Sequence, residues 1–280
     1  MNFRRTYFDS NFPFNYFPVH KQLKEISFSD ITILSGSNGS GKSTVQNIIA
    51  EKMELMRDSP YNKTYFFDPY LKLCRYDLNE LEDDTPDRMY KIEQNSRIIT
   101  SDDVFKHIMD VRSRNDNLDF KRQLVFDEYS MGGKMSMPKH IDFTSDESVD
   151  RFEKFCAKKR HSASSYVRNY VGIDERTYSN GENGFKYFTD AIQPSGLYLL
   201  DEPENSLSTE MQLELVKFIM SMARFYDCQF IISTHSPFLL SLPHAHIYDM
   251  DSLPVCRRKW TDLPSVRCYF EFFKEHEDEF

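Results

Sequence analysis

A glycine-rich segment carries the clearest chemistry in the sequence. Residues 36–43 read GSNGSGKS, which fits the pattern G-x-x-x-x-G-K-[ST], and they stand between an apolar run and a helical pattern. Glycines let backbone N–H groups curl around phosphate oxygens, and the helix adds its positive N-terminal end. We expect Lys42 to reach the terminal phosphates of a nucleotide and the Ser43 hydroxyl to bind Mg²⁺. The expected phosphate-binding residues are Gly36, Ser37, Asn38, Gly39, Ser40, Gly41, Lys42, Ser43 and Thr44.

Two adjacent carboxylates follow a second apolar run. Leu197–Leu200 is predicted to be a buried strand, and Asp201 and Glu202 come directly after it. We expect Asp201 to hold Mg²⁺, directly or through water. Glu202 is expected to orient and activate an attacking water, because a carboxylate accepts a proton while the metal neutralises phosphate charge. Two acids at a strand end can also be simply solvated. Because this pair occurs together with the glycine-rich segment, the interpretation as a site of metal-dependent hydrolysis is favoured.

A serine–glycine turn and a histidine complete the set of candidate residues. Residues 178–182 read YSNGE, and Ser179, Gly181 and Glu182 begin a helical pattern. A serine hydroxyl with helix-start amides makes a phosphate site, so we expect these residues to bind phosphate. His235 follows the next apolar strand, in the segment IISTHSP, and this position favours a functional over a structural histidine.

Strand and helix patterns alternate around these motifs, which predicts an α/β fold with a mainly parallel sheet covered on both faces. Residues 14–34 are expected to form an N-terminal antiparallel β part that includes Ile26–Phe28 and Ile31–Leu34. The other expected strands are Tyr65–Asp68, Arg97–Thr100, Leu197–Leu200 and Phe230–Ser233. The helices expected beside them are Ser43–Met56 and a helix from Ser208 or Thr209 to about Tyr226.

The middle of the chain has a helical pattern. Val104, Ile108 and Val111 recur at helical spacing after the cap-like segment 100–103, and a second cap-like segment occupies residues 144–147. We expect a helical lobe at residues 101–177, inserted within a single domain of residues 1–280.

Composition narrows the classes of function. The formal net charge of −9 argues against a general nucleic-acid binder, which normally carries a basic face, so nucleic acid is an alternative that is not favoured. Five cysteines without a C-x-x-C pair fit reduced thiols better than disulfides or zinc. The N-terminal residues do not form a secretory signal, and no run approaches the roughly 18 apolar residues of a membrane span. We expect a soluble, cytoplasmic protein.

In order, these motifs resemble the series of ABC ATPases: Walker A, signature, Walker B and switch histidine. The stretches DEPENSLS and QFIISTHSPFLL are similar to compact bacterial AAA-family ATPases of the ABC clade, which are related to SMC and RecF heads. The resemblance implies a P-loop NTPase fold of the ABC type, with ATP and Mg²⁺. It also implies a homodimer with two sandwiched ATP molecules, in which His235 and the partner's signature contact the γ-phosphate. An adenine-stacking aromatic is expected upstream of the P-loop, where Tyr16 is the first candidate and Phe17 the next.

The family pattern is interrupted at two places. Ser208 stands in the D-loop, where many ABC proteins have Asp. The strand Arg97–Thr100 should lead into the glutamine of the Q-loop, but Ser101 and Asp102 follow it. Gln94 and Gln123 are the alternatives.

The resemblance implies an ATPase that forms ADP and phosphate, with Lys42, Glu202 and His235 as catalytic residues. We expect it to act as a soluble switch on an unknown protein partner, in a defence or toxin-like module. The alternatives are a DNA-repair or DNA-structure ATPase of the RecF/SMC kind, the nucleotide-binding subunit of an ABC transporter, and an ATP sensor with negligible turnover. The short region between the sheet halves excludes an SMC coiled-coil arm.

Overall fold

A six-stranded sheet forms the framework of the protein, whose computed structural model describes residues 12–77, 92–131, 167, 171 and 180–280. The strand order across the sheet is β2-β3-β4-β1-β5-β6. Neighbouring strands from β2 to β5 run parallel, and β6 pairs antiparallel with β5 at one edge. The strands are β1 Ile31–Ser35, β2 Arg97–Thr100, β3 Leu197–Asp201, β4 Gln229–Ser233, β5 His246–Asp249 and β6 Cys256–Arg257.

Helices connect these strands, and several pack on the sheet. The α-helices are α1 Lys42–Lys52, α2 Phe67–Leu73, α3 Ser101–Met131, α4 Asn180–Ala191, α5 Thr209–Phe225, α6 Pro237–Leu240 and α7 Pro264–Glu275. Helix α1 contacts β2, β3 and β4, and α5 contacts β4. Among the described helices, none combines the length and the apolar character needed to cross a membrane.

The core lies on the central strands. The side chains of β1 are buried along its whole length, as the near-continuous apolar run of a parallel strand requires. Gln46 of α1 is fully buried, and its Nε2 donates to the carbonyl oxygens of Leu200 and Ile231 at 2.9 and 3.1 Å. This amide ties α1 to β3 and β4, and so fixes the start of the helix beside the carboxyl ends of the strands.

The chain divides into two compact units. One comprises Met1–Phe105 with Asn180–Phe280, and the other comprises Lys106–Ser179. The first unit contains the whole sheet, and α3 continues from the first unit into the second. The single domain of residues 1–280 and the helical lobe at 101–177 stay predictions, and the second cap-like segment at 144–147 lies outside the described residues.

The structure confirms the predicted mainly parallel sheet. It also confirms the strands at residues 31–34, 97–100, 197–200 and 230–233 and the helices after residues 43, 101 and 208.

The prediction of an N-terminal antiparallel β part is wrong for the described residues. A π-helix occupies Tyr16–His20, and Pro13 before it and Pro18 within it lack the N–H group that a ladder needs. The backbone of Ser27 pairs with the Tyr248 hydroxyl instead of with a strand. The antiparallel pairing occurs at β6.

The predicted strand Tyr65–Asp68 is also wrong, because the segment leads into α2. Phe67 is buried and packs edge-on against Tyr61, at a centroid distance of 5.6 Å. Pro69 lies in the first turn of α2, where a missing N–H costs nothing, whereas it would interrupt a ladder. A short aromatic run does not by itself distinguish a strand from a helix start.

Candidate functional site

The glycine-rich loop joins the end of β1 to the start of α1. Gly41 is the N-cap of α1 and has φ 97°, in the left-handed region that favours glycine. A Cβ at Gly41 would lie 2.9 Å from ring carbons of both Tyr16 and Phe17, so a larger residue has no room there. The loop therefore curls tightly over the first turn of an 11-residue helix whose free amides attract anions.

Two distant segments brace this loop. Asp251, just beyond β5, accepts hydrogen bonds from the backbone N and the Oγ of Ser37 at 2.6 and 2.8 Å. The Tyr16 hydroxyl donates to the carbonyl oxygen of Gly39 at 2.7 Å. Sequence reasoning missed Asp251, because the strand that positions it was not predicted. The signal that could have found it is the segment from Ile247 to Asp251, IYDMD, in which two acids alternate with largely apolar residues.

Lys42 is the most constrained side chain of the site, with only 4% of it exposed. Its Nζ lies 2.7 Å from the carbonyl oxygen of Gly36, 3.2 Å from that of Ser37 and 2.8 Å from Nε2 of His235. The three contacts use all three protons of an ammonium group. Burial lowers the pKa of Lys42, and the charge of Glu202, 3.9 Å away, opposes that effect only in part.

His235 meets Lys42 from the loop after β4. Because an ammonium has no acceptor, Nε2 of His235 is the acceptor in its 2.8 Å contact with Nζ of Lys42. The same Nε2 lies 3.5 Å from Oε1 of Glu202. Lys42, Glu202 and His235, the three predicted catalytic residues, are therefore brought together.

Glu204 holds the histidine loop in place. Its Oε1 accepts from the backbone N of His235 at 2.6 Å, from Oγ1 of Thr234 at 2.8 Å and from the backbone N of Ser236 at 3.2 Å. The sequence motif placed Glu204 only at the start of the D-loop segment and gave it no role. Its contacts make it a positioning residue for His235.

Glu202 has an unusual backbone conformation. It adopts φ 50° and ψ 53°, which costs about 1–3 kcal/mol for a residue other than glycine. Its backbone N donates to the carbonyl oxygen of Ser233, and its Oε2 accepts from Nδ2 of Asn205 at 3.0 Å. These contacts hold the strained backbone and leave the carboxylate 30% exposed, where water can reach it.

Asp201 and Ser43 have the oxygen groups that could hold Mg²⁺. A hydrogen bond joins their side chains, and burial raises the pKa of the Asp201 carboxyl despite that bond. Oδ1 of Asp201 is buried without a hydrogen-bond partner in the part of the chain that the structure describes. Mg²⁺ takes oxygen ligands and commonly uses one or two protein groups with substrate phosphates and water. An orphaned carboxylate oxygen beside a serine hydroxyl fits that ion.

The remaining predicted residues have mixed outcomes. Gly181 and Glu182 lie in the first turn of α4, whereas Ser179 lies outside the described residues. A Cβ at Gly181 would come within 3.0 Å of the backbone N of Ser208. Ser208 is the N-cap of α5, and its Oγ accepts from the backbone N of Met211. The N-cap of α5 thus gives Ser208 a structural role at the D-loop position.

Neither alternative for the Q-loop glutamine stands at the end of β2. Gln94 precedes that strand, and Gln123 lies within α3, where it donates to Asp127. Thr100, which pairs with Asp201 in the sheet, ends β2, and its N and Oγ1 both donate to Asp103. Of the two adenine-stacking candidates, Phe17 is buried in the core, so that role stays a prediction for Tyr16.

A protein-family model described as "AAA domain, putative AbiEii toxin, Type IV TA system" matches residues 77–241, which include Asp201, Glu202 and His235. No curated protein matches the chain.

The chain is similar to three solved structures. The ATP-binding cassette MJ0796, in a dimeric post-hydrolysis state with ADP and Pi, is 13% identical over 85% of this chain and 89% of that chain, with a TM-score of 0.36. The cbiO1 protein from Clostridium perfringens, part of the ABC transporter complex cbiONQ, is 17% identical over 90% and 84%, with a TM-score of 0.37. The Smc head domain from Pyrococcus furiosus, bound to the C-terminal domain of ScpA, is 13% identical over 90% and 94%, with a TM-score of 0.38.

Two aspartates of this region, the half-buried Asp201 and the buried Asp249, should respond oppositely to neutralisation. Because burial raises the pKa of Asp201, its folded state binds more protons than its unfolded state, and stability falls as pH rises through that window. Asp201→Asn should therefore raise the thermal midpoint of metal-free protein at neutral pH. Asp249 instead accepts from Arg258 at 3.0 Å and from two backbone N–H groups, so Asp249→Asn should lower it. Thermal unfolding with a chelator present measures both. A decrease of equal size in both variants would contradict the prediction.

Proposed function

The chain belongs to the AAA-domain family whose model matches more than half of it, and we propose that it is an Mg²⁺-dependent ATPase that works as an ATP-sandwiched homodimer. The observation that carries the proposal is the convergence of Lys42, Glu202 and His235 within 4 Å of one another, beside the Ser43–Asp201 pair. All five side chains lie at the carboxyl ends of parallel strands, where ligands bind in open α/β sheets.

Lys42 has to change partners when ATP binds. Its three protons are already used by two loop carbonyls and His235, and a phosphate group replaces some of these acceptors with charged oxygens. The backbone amides of the loop and the N-terminus of α1 bind the same phosphates. The release of His235 from Lys42 lets its ring turn to the terminal phosphate.

Glu202 then directs the hydrolysis. Its carboxylate positions a water, whose oxygen forms a bond to the γ-phosphorus while the bond from that phosphorus to the β–γ bridging oxygen breaks. A proton of the water passes to Glu202, and the products are ADP and phosphate. Ser43 and Asp201 would hold Mg²⁺, which would neutralise charge at the phosphates when bound. Lys42 and His235 stabilise the charge on the oxygens of the group being transferred.

Glu202→Gln should bind Mg-ATP and hydrolyse it about 10²–10⁴-fold more slowly, because the amide keeps the shape but cannot take the proton. Lys42→Ala should instead bind ATP poorly, since it removes the buried cation that the phosphates meet. Phosphate release and ATP binding, measured on the same preparations, separate the two effects. Glu214→Gln, on the exposed face of α5, is the matched control and should turn over normally. Normal turnover by Glu202→Gln would refute the assignment.

The dimer completes the site from a second copy of the chain. The signature segment is expected to face the γ-phosphate of the partner and not that of its own chain, so two identical sites follow from a two-fold axis. The position of Gly181 supports that role, because this residue packs at the N-cap of α5, beside the D-loop. ATP then binds the dimer better than the monomer and shifts the population toward it.

Mg-ATP should convert Glu202→Gln from monomer to dimer, because the complex that hydrolysis would release persists. Light scattering with and without Mg-ATP measures the change. Ser179→Arg should keep ATP binding by the monomer and lose both dimerisation and hydrolysis, because a bulky cation meets the site of the other subunit. In a mixture of Ser179→Arg and Lys42→Ala, each heterodimer has one site with both lesions and one with neither, so activity should return. A monomeric Glu202→Gln at micromolar concentration, with full wild-type turnover, would exclude the sandwich.

ATP-driven dimerisation is proposed to switch a protein partner in a defence or toxin-like module. The family to which the chain belongs, described by a putative AbiEii toxin and a type IV TA system, supports this biological role. Expression of the chain with the genes adjacent to its own should protect bacteria from phage, and Lys42→Ala should abolish that protection while Glu214→Gln retains it. Plating efficiency of a phage panel measures the effect. Equal plating with the wild-type chain and with Lys42→Ala would overturn this role.

A further inference from the structure

A second cavity, of about 640 Å³, lies at the opposite end of the sheet from the nucleotide site. Two segments line it: residues 241–247, which lead into and begin β5, and residues 257–261, which begin at the end of β6. Strand β5 shows how the two places are related. His246 at its beginning pairs with Thr32 and lines the cavity, whereas Asp249 at its end pairs with Ser35, next to the P-loop. A ligand in this cavity would not share the ATP site.

One wall of the cavity is basic in a chain whose net charge is −9. Arg257, Arg258 and Lys259 follow one another, and Arg258 pairs with Asp249 at 3.0 Å. Arg257 donates from Nε to the hydroxyl of Tyr248 and lies over that ring, which leaves its two terminal NH₂ groups for another acceptor. Lys259 is exposed. Two cations are therefore available to an anion in the cavity.

The other features of the wall suit a flat ring with hydrogen-bonding edges. Trp260, the single tryptophan of the sequence, lines the cavity and keeps 37% of its surface exposed. His246 also lines the cavity, and its Nδ1 is buried and has no hydrogen-bond partner within residues that the structure describes. A buried imidazole nitrogen without a partner is costly, and a ligand that supplies the missing hydrogen bond removes that cost.

We propose that this cavity binds a nucleotide unit, either free or within a single nucleic-acid strand. Arg257 and Lys259 bind its phosphate, the indole of Trp260 stacks on its base, and Nδ1 of His246 hydrogen-bonds to its base or sugar. Stacking on an aromatic ring together with cationic contacts to phosphate is the general chemistry of single-strand recognition. The volume is in the range of small-ligand pockets.

The fluorescence of Trp260 tests the proposal without interference from the ATP site, because the chain has no other tryptophan. The titration uses a Lys42→Ala background, which disables the P-loop, with dTMP in one arm and oligo-deoxythymidine in another. Saturable quenching is expected, and Lys259→Glu should weaken it by about 10-fold or more. Lys217→Glu, an exposed lysine on α5, is the matched control and should leave the affinity unchanged. The readout needs no ATP hydrolysis, so its outcome is independent of the proposed ATPase.

The two arms also distinguish the source of the nucleotide. Quenching by dTMP and the oligonucleotide at similar concentrations identifies a free nucleotide, and quenching by the oligonucleotide alone identifies a strand. The absence of saturable quenching in both arms would overturn the proposal. It would also be overturned if Lys259→Glu bound with the same affinity as the Lys42→Ala background, or if poly-glutamate, a polyanion without bases, bound as tightly as the oligonucleotide.

Discussion

The arrangement of the nucleotide site follows from the need to compensate one buried cation. An ammonium group loses its water when it is buried, and the protein has to replace that water with acceptors. For Lys42 the replacements are the carbonyl oxygens of Gly36 and Ser37, the imidazole of His235 and, at longer range, the charge of Glu202. These groups come from the segments that follow β1, β3 and β4, so a single side chain contacts the ends of three strands.

Two carboxylates outside the conventional motif positions hold the loops around this cation. Asp251 fixes the start of the P-loop through Ser37, and Glu204 fixes the loop that carries His235 through three donors. Phosphate binding depends on backbone amides that already point inward, because ordering them at the moment of binding would cost conformational entropy. The two acids thus pre-organise the site, while the strained backbone of Glu202 holds its carboxylate where water can reach it.

Strand β5 links both ends of the first unit. Its carboxyl end leads to Asp251 at the P-loop, and its amino end begins in the wall of the basic cavity. Arg258 of that wall pairs with Asp249, whose Oδ1 in turn accepts from the backbone N of Asp251. The nucleotide loop and the cavity therefore share a hydrogen-bonded support, although their ligand-facing residues lie at opposite ends of the strand.

The sequence by itself determined the position of the glycine-rich loop, the carboxylate pair, His235 and the strands that carry them. Each of these is a local pattern, in which a short apolar run ends in polar residues of a fixed type and spacing. It did not determine the roles of Asp251 and Glu204, whose partners are residues distant in the chain, nor the helical start at Phe67, where an aromatic run is ambiguous between strand and helix. The N-terminal segment was decided by packing, because Tyr16 and Phe17 close over Gly41 and leave no edge for a strand. Only the tertiary structure places such groups beside one another, since a contact between residues more than two hundred positions apart leaves no periodic trace in the sequence.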